Sequence, residues 1–329
     1  MSAGLDSWAN PSSPHAEGRA ARATLEDARA RIKRALNWDY DVVFTSGASE
    51  AIQIGLGRTQ ADAIIVSAVE HDAVHRVQPK AFFLPVGSDG LVARDALAGR
   101  LGALSAKRPL VAIQSVNNET GVIQPLDILI PEIRAAGGIA FADCSQSAGK
   151  LPLPDADLIA ISAHKLGGPP GVGALLIRDL GMIEPSGGQE KGYRSGTENQ
   201  PAILGFAAAL EQNRGWVDRA ADLRAHLDGA IKANGGEVVA GNSPRVATIA
   251  SYHMPGLAAS AQLIQFDMAG IAISAGSACS SGTLKSSRIL AAMGWNEKAA
   301  GEVIRVSFGP DTSRADVYRF VEVWKRIKA

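Results

Sequence analysis

Two cysteines in 329 residues, Cys144 and Cys279, are too few for a disulfide framework and stand in contexts too different for a Cys-based metal site. Each is therefore read as a separate thiol. There is no excess of either charge: Lys+Arg and Asp+Glu number 33 each, so no net field draws nucleic acid or an anionic membrane surface. No apolar run approaches the ~18–20 residues that span a bilayer, and the first residues lack the apolar core of a secretory signal. The stretch from Gly4 to Arg34 is Arg-rich like a transit peptide, but Asp6, Glu17, Glu26 and Asp27 argue against one. A cytoplasmic protein acting on a small molecule is the expectation. Internal repeats and low-complexity segments are also missing, and with 46% hydrophobic and 20% charged residues the chain is neither disordered nor fibrous.

What is present is a long chain with a strong α/β rhythm. Single cores stop growing near ~250–300 residues, which predicts two lobes. A helical pattern carrying Ala23, Ala30, Ile32 and Leu36 is followed by short apolar runs at 41–46, 63–68, 81–86, 110–116, 138–144, 157–162 and 173–178. Strands apolar along their whole length and separated by helices predict a parallel or mixed sheet covered on both faces. The rhythm breaks in the Gly-rich "PSGGQEKGYRSGTENQP", followed by helices over Ile203–Asn213 and Asp218–Asn234. Beyond it, strands near 246–251 and 302–308 and helices near 258–268, 285–293 and 313–328 read as a smaller α+β lobe. The expected division is a large domain over 1–214 and a small one over 215–329.

In such sheets ligands sit beyond the carboxyl ends of the strands, so the polar residues there carry the information. "TSGASEAIQIG" opens a helix with Gly47, Ala48 and Ser49, where N–H groups and hydroxyls could hold a phosphate; capping by Ser46 or Ser49 would serve equally. "EHDAV" places Glu70 and His71 at a strand end, where the ring is either structural or stacked on a flat cofactor. "NNETG" offers Asn117, Asn118 and Glu119, or only an Asx turn. "GIAFADCSQSAGK" ends a buried strand in Asp143, which is costly there unless it meets a cation or a protonated ring nitrogen, with Gln146 three residues on. Cys144 alternates away from Asp143 and reads as packing.

"IAISAHKLGGPPGVG" then puts Ser162, His164 and Lys165 after another buried strand. A strand-end Lys, a strand-end Asp, a phosphate-ready helix start and a stacking His together match pyridoxal 5'-phosphate, whose aldehyde binds a lysine and whose ring nitrogen wants a carboxylate. Cys279 of "SAGSACSSG" lies among Ser and Gly, where a thiol is able to move and act as a nucleophile. Arg305 of "VIRVSFG" is a candidate fork for a substrate carboxylate, or a salt bridge.

Taken together, "NPSSPHAEG", "TSGASEA", "EHDAV", "NNETGVIQP", "ADCSQSAGK", "SAHKLGGPPGVGAL", "GGQEKGYRSGTEN", "SAGSACSSG" and "IRVSFG", running in order from residue 10 to 309, resemble the cysteine desulfurases, the NifS/IscS-like branch of the class V aminotransferase-fold enzymes. The resemblance implies a fold type I, aspartate aminotransferase-like PLP-dependent transferase acting as a homodimer. It implies that Lys165 carries the cofactor, Asp143 pairs with its ring nitrogen, Gln146 with its ring hydroxyl, and His71 stacks on the ring. Ser49, Ala48, Ser162 and His164 match phosphate positions, and Thr197 matches a residue donated to the phosphate across the dimer. Asn118 and Arg305 match the substrate-carboxylate side.

The reaction so implied converts L-cysteine to L-alanine, with Lys165 removing the Cα proton and the sulfur passing to Cys279 as a persulfide, for a sulfur-acceptor protein and iron–sulfur cluster assembly. The same cofactor site would also suit a selenocysteine lyase, a cysteine sulfinate desulfinase, an aminotransferase or a non-catalytic relative, and a strict need for Cys279 separates the first reading from these. Two departures are legible. The chain starts nine residues ahead of Asn10, without the "LDNAATT"-type strand that usually lines the entrance, and it stops at "VEVWKRIKA", without the tail used to dock a scaffold protein.

Overall fold

A computed structural model of the chain describes residues 1–6, 8–276 and 287–328. Seven strands, β1 (Asp41–Thr45), β2 (Ala63–Ser67), β3 (Phe82–Leu84), β4 (Pro109–Ala112), β5 (Ile139–Asp143), β6 (Leu158–Ser162) and β7 (Gly173–Ile177), form a mixed sheet in the order β1-β7-β6-β5-β4-β2-β3. β7 pairs antiparallel with both β6 and β1, and the other pairs are parallel, so every strand but β7 points the same way.

The strands alternate their residues between two apolar layers, as a period of two requires. Ile159 and Ile161 of β6 and Val42 and Phe44 of β1 face one layer, shared with helices α2 (Ala16–Leu36), α5 (Arg94–Ala103), α6 (Leu126–Ala135) and α7 (Gln200–Leu210). Leu158, Ala160 and Val43 face the other, shared with α3 (Ala48–Gly57) and α4 (Asp72–Val77). The short α1 (Ser2–Asp6) lies against α7. In α2 the buried Ala21, Leu25, Ala28, Ile32 and Leu36 recur at helical spacing; the His15 ring caps its start by accepting from Gly18 N–H at 3.1 Å, and Asn37 in the left-handed region ends it. Each fully buried Leu, Ile or Phe of these layers contributes roughly 1.5–3 kcal/mol.

A second sheet of four antiparallel strands has the order β10-β11-β9-β8, made of β8 (Glu237–Val238), β9 (Ile249–His253), β10 (Ser274–Ala275) and β11 (Val303–Ser307). Helices α8 (Trp216–Ala233), α9 (Ala259–Met268) and α12 (Arg314–Lys328) cover it through Tyr252, Phe266, Phe320 and Trp324. The small helices α10 (Arg288–Ala292) and α11 (Glu297–Ala300) complete this part.

In the smaller sheet the strand expected near 246–251 is β9 at Ile249–His253, and β8 and β10 had no counterpart in the sequence reading. In the large sheet the strands differ most from their sequence reading in two places. The run at 81–86 forms only the three residues of β3 at the sheet edge, beyond which no strand pairs among the described residues, and Phe82 and Phe83 are 43% and 45% exposed there. The run at 110–116 ends its pairing with β2 at Ala112, while its next amides keep to β5 as Ile113 N–H and Ser115 N–H donate to the carbonyls of Phe141 and Asp143.

The Gly-rich stretch is pinned by a buried ion pair. Arg29 of α2 forks onto both oxygens of Glu190 at 2.8 and 2.9 Å, and Glu190 also accepts the Phe44 N–H of β1 at 2.8 Å. Glu190 is 3% exposed, and the Arg29 guanidinium also lies over the Phe44 ring. Removing one partner leaves a buried charge uncompensated, so Glu190→Ala should cost about 3–5 kcal/mol of unfolding free energy in urea titrations. A loss below about 1 kcal/mol, the range of exposed pairs, would contradict the buried pairing.

Candidate active site

The shared direction of the strands brings the chain segments after β1, β2, β4, β5 and β6 to one edge of the large sheet. There they enclose a cleft of about 650 Å³, within the range of small-molecule sites. Of the residues expected at the site, Ala48, Ser49, His71, Asn118, Asp143, Gln146, Ser162, His164, Lys165 and Arg305 all line it. Thr197 does not; it is exposed, in the loop before α7. Cys279 lies outside the described residues.

On one wall, α3 starts at Gly47 with no side chain capping it, which leaves the amides of its first turn directed at the cleft. Ser162 lies across from that start, and its hydroxyl is hydrogen-bonded to His164 Nδ1 at 2.8 Å. Burial and the Lys165 charge hold His164 below the usual histidine range, so its ring is neutral at pH 7. Backbones touch here: a Cβ on Gly173 would sit 2.4 Å from Ile161 O and 2.7 Å from Gly47 Cα, so only glycine lets β7 begin beside the α3 start. Lys165 is carried by a 3-10 turn, Ala163–Leu166, that follows β6 directly and ends at Gly167 with φ 89°. Arg214 braces this turn by donating to Leu166 O at 3.1 Å. Near it, burial and the Lys165 and Arg214 charges bring the Lys150 ammonium down to about 8.

The floor is acidic. Asp143, 7% exposed, accepts from both the amide and the hydroxyl of Ser145 through Oδ1. Glu70 is 2% exposed, and burial followed by the Asp143 charge pushes its carboxyl well above the usual range. His71 caps α4, its Nδ1 accepting from Ala73 N–H at 3.1 Å.

The third wall comes from the smaller sheet. Arg305 on β11 donates to Asn118 O at 2.9 Å, and the Asn118 side-chain oxygen is buried with no partner among the described residues. Glu119 accepts from Ser287 Oγ, and burial raises its carboxyl against the pull of Ser287 and Arg305.

Sequence reasoning passed over Glu50, Gln114 and Arg288, which also line the cleft. Glu50 accepts the Ser46 amide and pairs with Arg194 at 3.1 Å; Arg288 pairs with Asp72 at 2.8 Å. Arg288 meets Asp72 across 216 residues, a pairing with no local sequence signal. Cys144, next to Asp143, points the other way into the core at 0% exposure.

Comparison with known proteins places the chain in a family and a fold. The family model described as aminotransferase class-V matches residues 5–320. A cysteine desulfurase of Gluconacetobacter diazotrophicus is 34% identical, covering 98% of this chain and 87% of its own. Cysteine desulfurase IscS 1 of Archaeoglobus fulgidus is also 34% identical, covering 96% and 88%. The crystal structure of a NifS-like protein from Rickettsia africae superposes with a TM-score of 0.90 at 30% identity, over 99% of this chain and 93% of that one.

Burial raises the Cys144 thiol to about 12, so it holds no reactive thiolate at neutral pH. Iodoacetamide applied to the folded protein should leave the Cys144 peptide unmodified in mass spectra and label it only after denaturation. Labelling at the rate of a free thiol would contradict the burial.

Proposed function

Because the chain belongs to the class V aminotransferase family, in its cysteine desulfurase branch with the PLP-dependent type I fold, we propose that it is a PLP-dependent cysteine desulfurase. It converts L-cysteine to L-alanine and moves the sulfur to Cys279. The balance is simple: the substrate C–S bond breaks, an S–S bond forms on Cys279, and cysteine plus thiol becomes alanine plus persulfide. The carrying observation is one cleft lined by Lys165, Asp143 and Arg305: an amine from the turn after β6, a buried carboxylate from the end of β5 and a guanidinium from within β11.

The walls suit the cofactor. The uncapped start of α3 with Ser49, Ser162 and neutral His164 answers a phosphate, Asp143 answers a protonated ring nitrogen, and the small Gly47 and Gly171 leave space for a flat ring. When bound, pyridoxal phosphate supplies an aldehyde for amines and an electron sink for the Cα carbanion. The rest is the work of the chain. Arg305, steadied on Asn118 O, holds the substrate carboxylate as a fork, and the Asn118 side-chain oxygen, without a partner among the described residues, is left to accept from a donor of the same ligand. Lys165 takes the Cα proton and returns it; its turn, braced by Arg214, limits how far it swings. His71, whose ring is fixed at the start of α4 through Nδ1, is the ring to stack on the cofactor and the group to pass protons. Cys279 attacks the substrate sulfur and carries it to an acceptor protein.

The same reading makes the protein a cytoplasmic homodimer with shared sites, in which exposed Thr197 serves the partner's phosphate and the chain divides functionally at 214/215. Among the described residues, no helix is long and apolar enough to cross a membrane.

The purified chain should show a visible cofactor band that changes with L-cysteine while alanine forms. Lys165→Ala should lower alanine formation by about 10²–10⁴-fold. Cys279→Ala should keep the band and lose sulfide release; sulfide release undiminished in that variant would sink the proposal.

A further inference from the structure

Arg305 stands in the smaller sheet, whereas Lys165 and Asp143 stand at the edge of the larger one, and the two sheets have separate apolar cores. A fork for a substrate carboxylate is useful only if its place is fixed relative to those groups. One turn, residues 117–121 after β4, makes that connection.

On the large-sheet side the turn is closed by Asn117. Its Oδ1 accepts from Glu119 N–H at 2.9 Å and Thr120 N–H at 2.8 Å, its side-chain amide donates to Val69 O at 3.1 Å, and Gly121 N–H donates to Asn117 O at 3.0 Å. The next two carbonyls, of Asn118 and Glu119, are met from the smaller sheet. Arg305 of β11 donates to Asn118 O at 2.9 Å, and the Ser251 hydroxyl of β9 donates to Glu119 O at 2.8 Å.

Ser251 and Arg305 are direct partners in the antiparallel ladder, so their side chains leave the same face with Cβ atoms ~5 Å apart. Adjacent side chains thus grip adjacent carbonyls. Ser251 is 2% exposed, and the turn runs so close to β9 that a Cβ on Gly121 would sit 2.5 Å from Ile249 O. An arginine held at one point keeps several rotatable bonds, so the place of its head depends on how firmly that point is itself held.

We propose that Ser251 is a positioning residue for the carboxylate fork: by holding Glu119 O it sets the place of Asn118 O, and through it that of the Arg305 guanidinium in the cleft. The proposal rests on the reading of Arg305 as that fork. The fork grips the carboxylate in bound substrate and throughout the reaction alike, so Ser251 governs affinity for substrate and not the rate of its conversion.

Ser251→Ala should raise the KM for L-cysteine about 3–10-fold, the effect of one lost hydrogen bond, with kcat changed less than about twofold and the cofactor band unmoved. Ser251→Thr, which keeps the hydroxyl on a residue suited to a strand, should restore KM. In an Arg305→Ala background S251A should add nothing to KM, because its effect passes through the guanidinium. Ser251→Cys, close in shape and only a weak donor, gives the same comparison if S251A does not fold.

An unchanged KM in S251A, a fall in kcat without a rise in KM, or a KM effect that persists without Arg305 would overturn the proposal. A wild type that makes no alanine would refute the desulfurase reading, and the positioning is then read from hydrogen exchange. Faster exchange of the Glu119, Thr120 and Gly121 amides in both S251A and R305A, restored in S251T, upholds it; exchange unchanged in S251A overturns it.

Discussion

The cleft exists because all strands of the large sheet but β7 run in one direction. A parallel strand must return through a helix on the outer face, so each strand in turn releases its chain at the same edge. There the backbone stops pairing in the ladder and its polar groups need other partners. Gln114 and Asn117 turn their amides onto Val69 O, and Asp143 accepts from Ser145. Reversal of β7 brings its first residue, Gly173, back to this edge, so close to Ile161 O and Gly47 Cα that Gly173 has no room for a side chain.

Charge is then distributed by burial. Asp143, Glu70 and Glu119 are nearly closed off from water, facing a wall that holds Lys165, Arg288 and Arg305. Ionised groups in such surroundings persist only where opposite charge and hydrogen bonds repay lost hydration. Groups without that repayment move toward neutrality: Glu70 rises, His164 falls and Lys150 falls to about 8. One small step along β5 shows the sharpness of the boundary. Asp143 belongs to the cleft while Cys144 lies wholly in the core, because successive residues of a strand leave on opposite faces.

The strand-end residues were legible because buried strands have a short period and obvious limits, so the polar residue that interrupts an apolar run marks its own position. Ser162, Lys165, Asp143 and Asn118 were found in this way, and all line the cleft. The Gly-rich stretch before α7 was read only as an interruption. Its central Glu190 holds Arg29 across 161 residues, a partnership with no local trace. Exposure of Phe82 and Phe83 was equally hidden, since an apolar run does not say whether another strand lies beside it.

The sequence by itself determined which segments are strands and helices, which residues stand where strands end, and the thiol, amine, carboxylate and guanidinium available for chemistry. These follow from side-chain periodicity and backbone propensity, which act over a few residues. Tertiary structure alone decided that Arg305 of the smaller sheet meets Asn118 of the larger, that Arg288 meets Asp72, and that Glu70 is buried with one oxygen unpartnered among the described residues. Those outcomes depend on strand order and on the exclusion of water, and both arise only once distant parts of the chain have packed together.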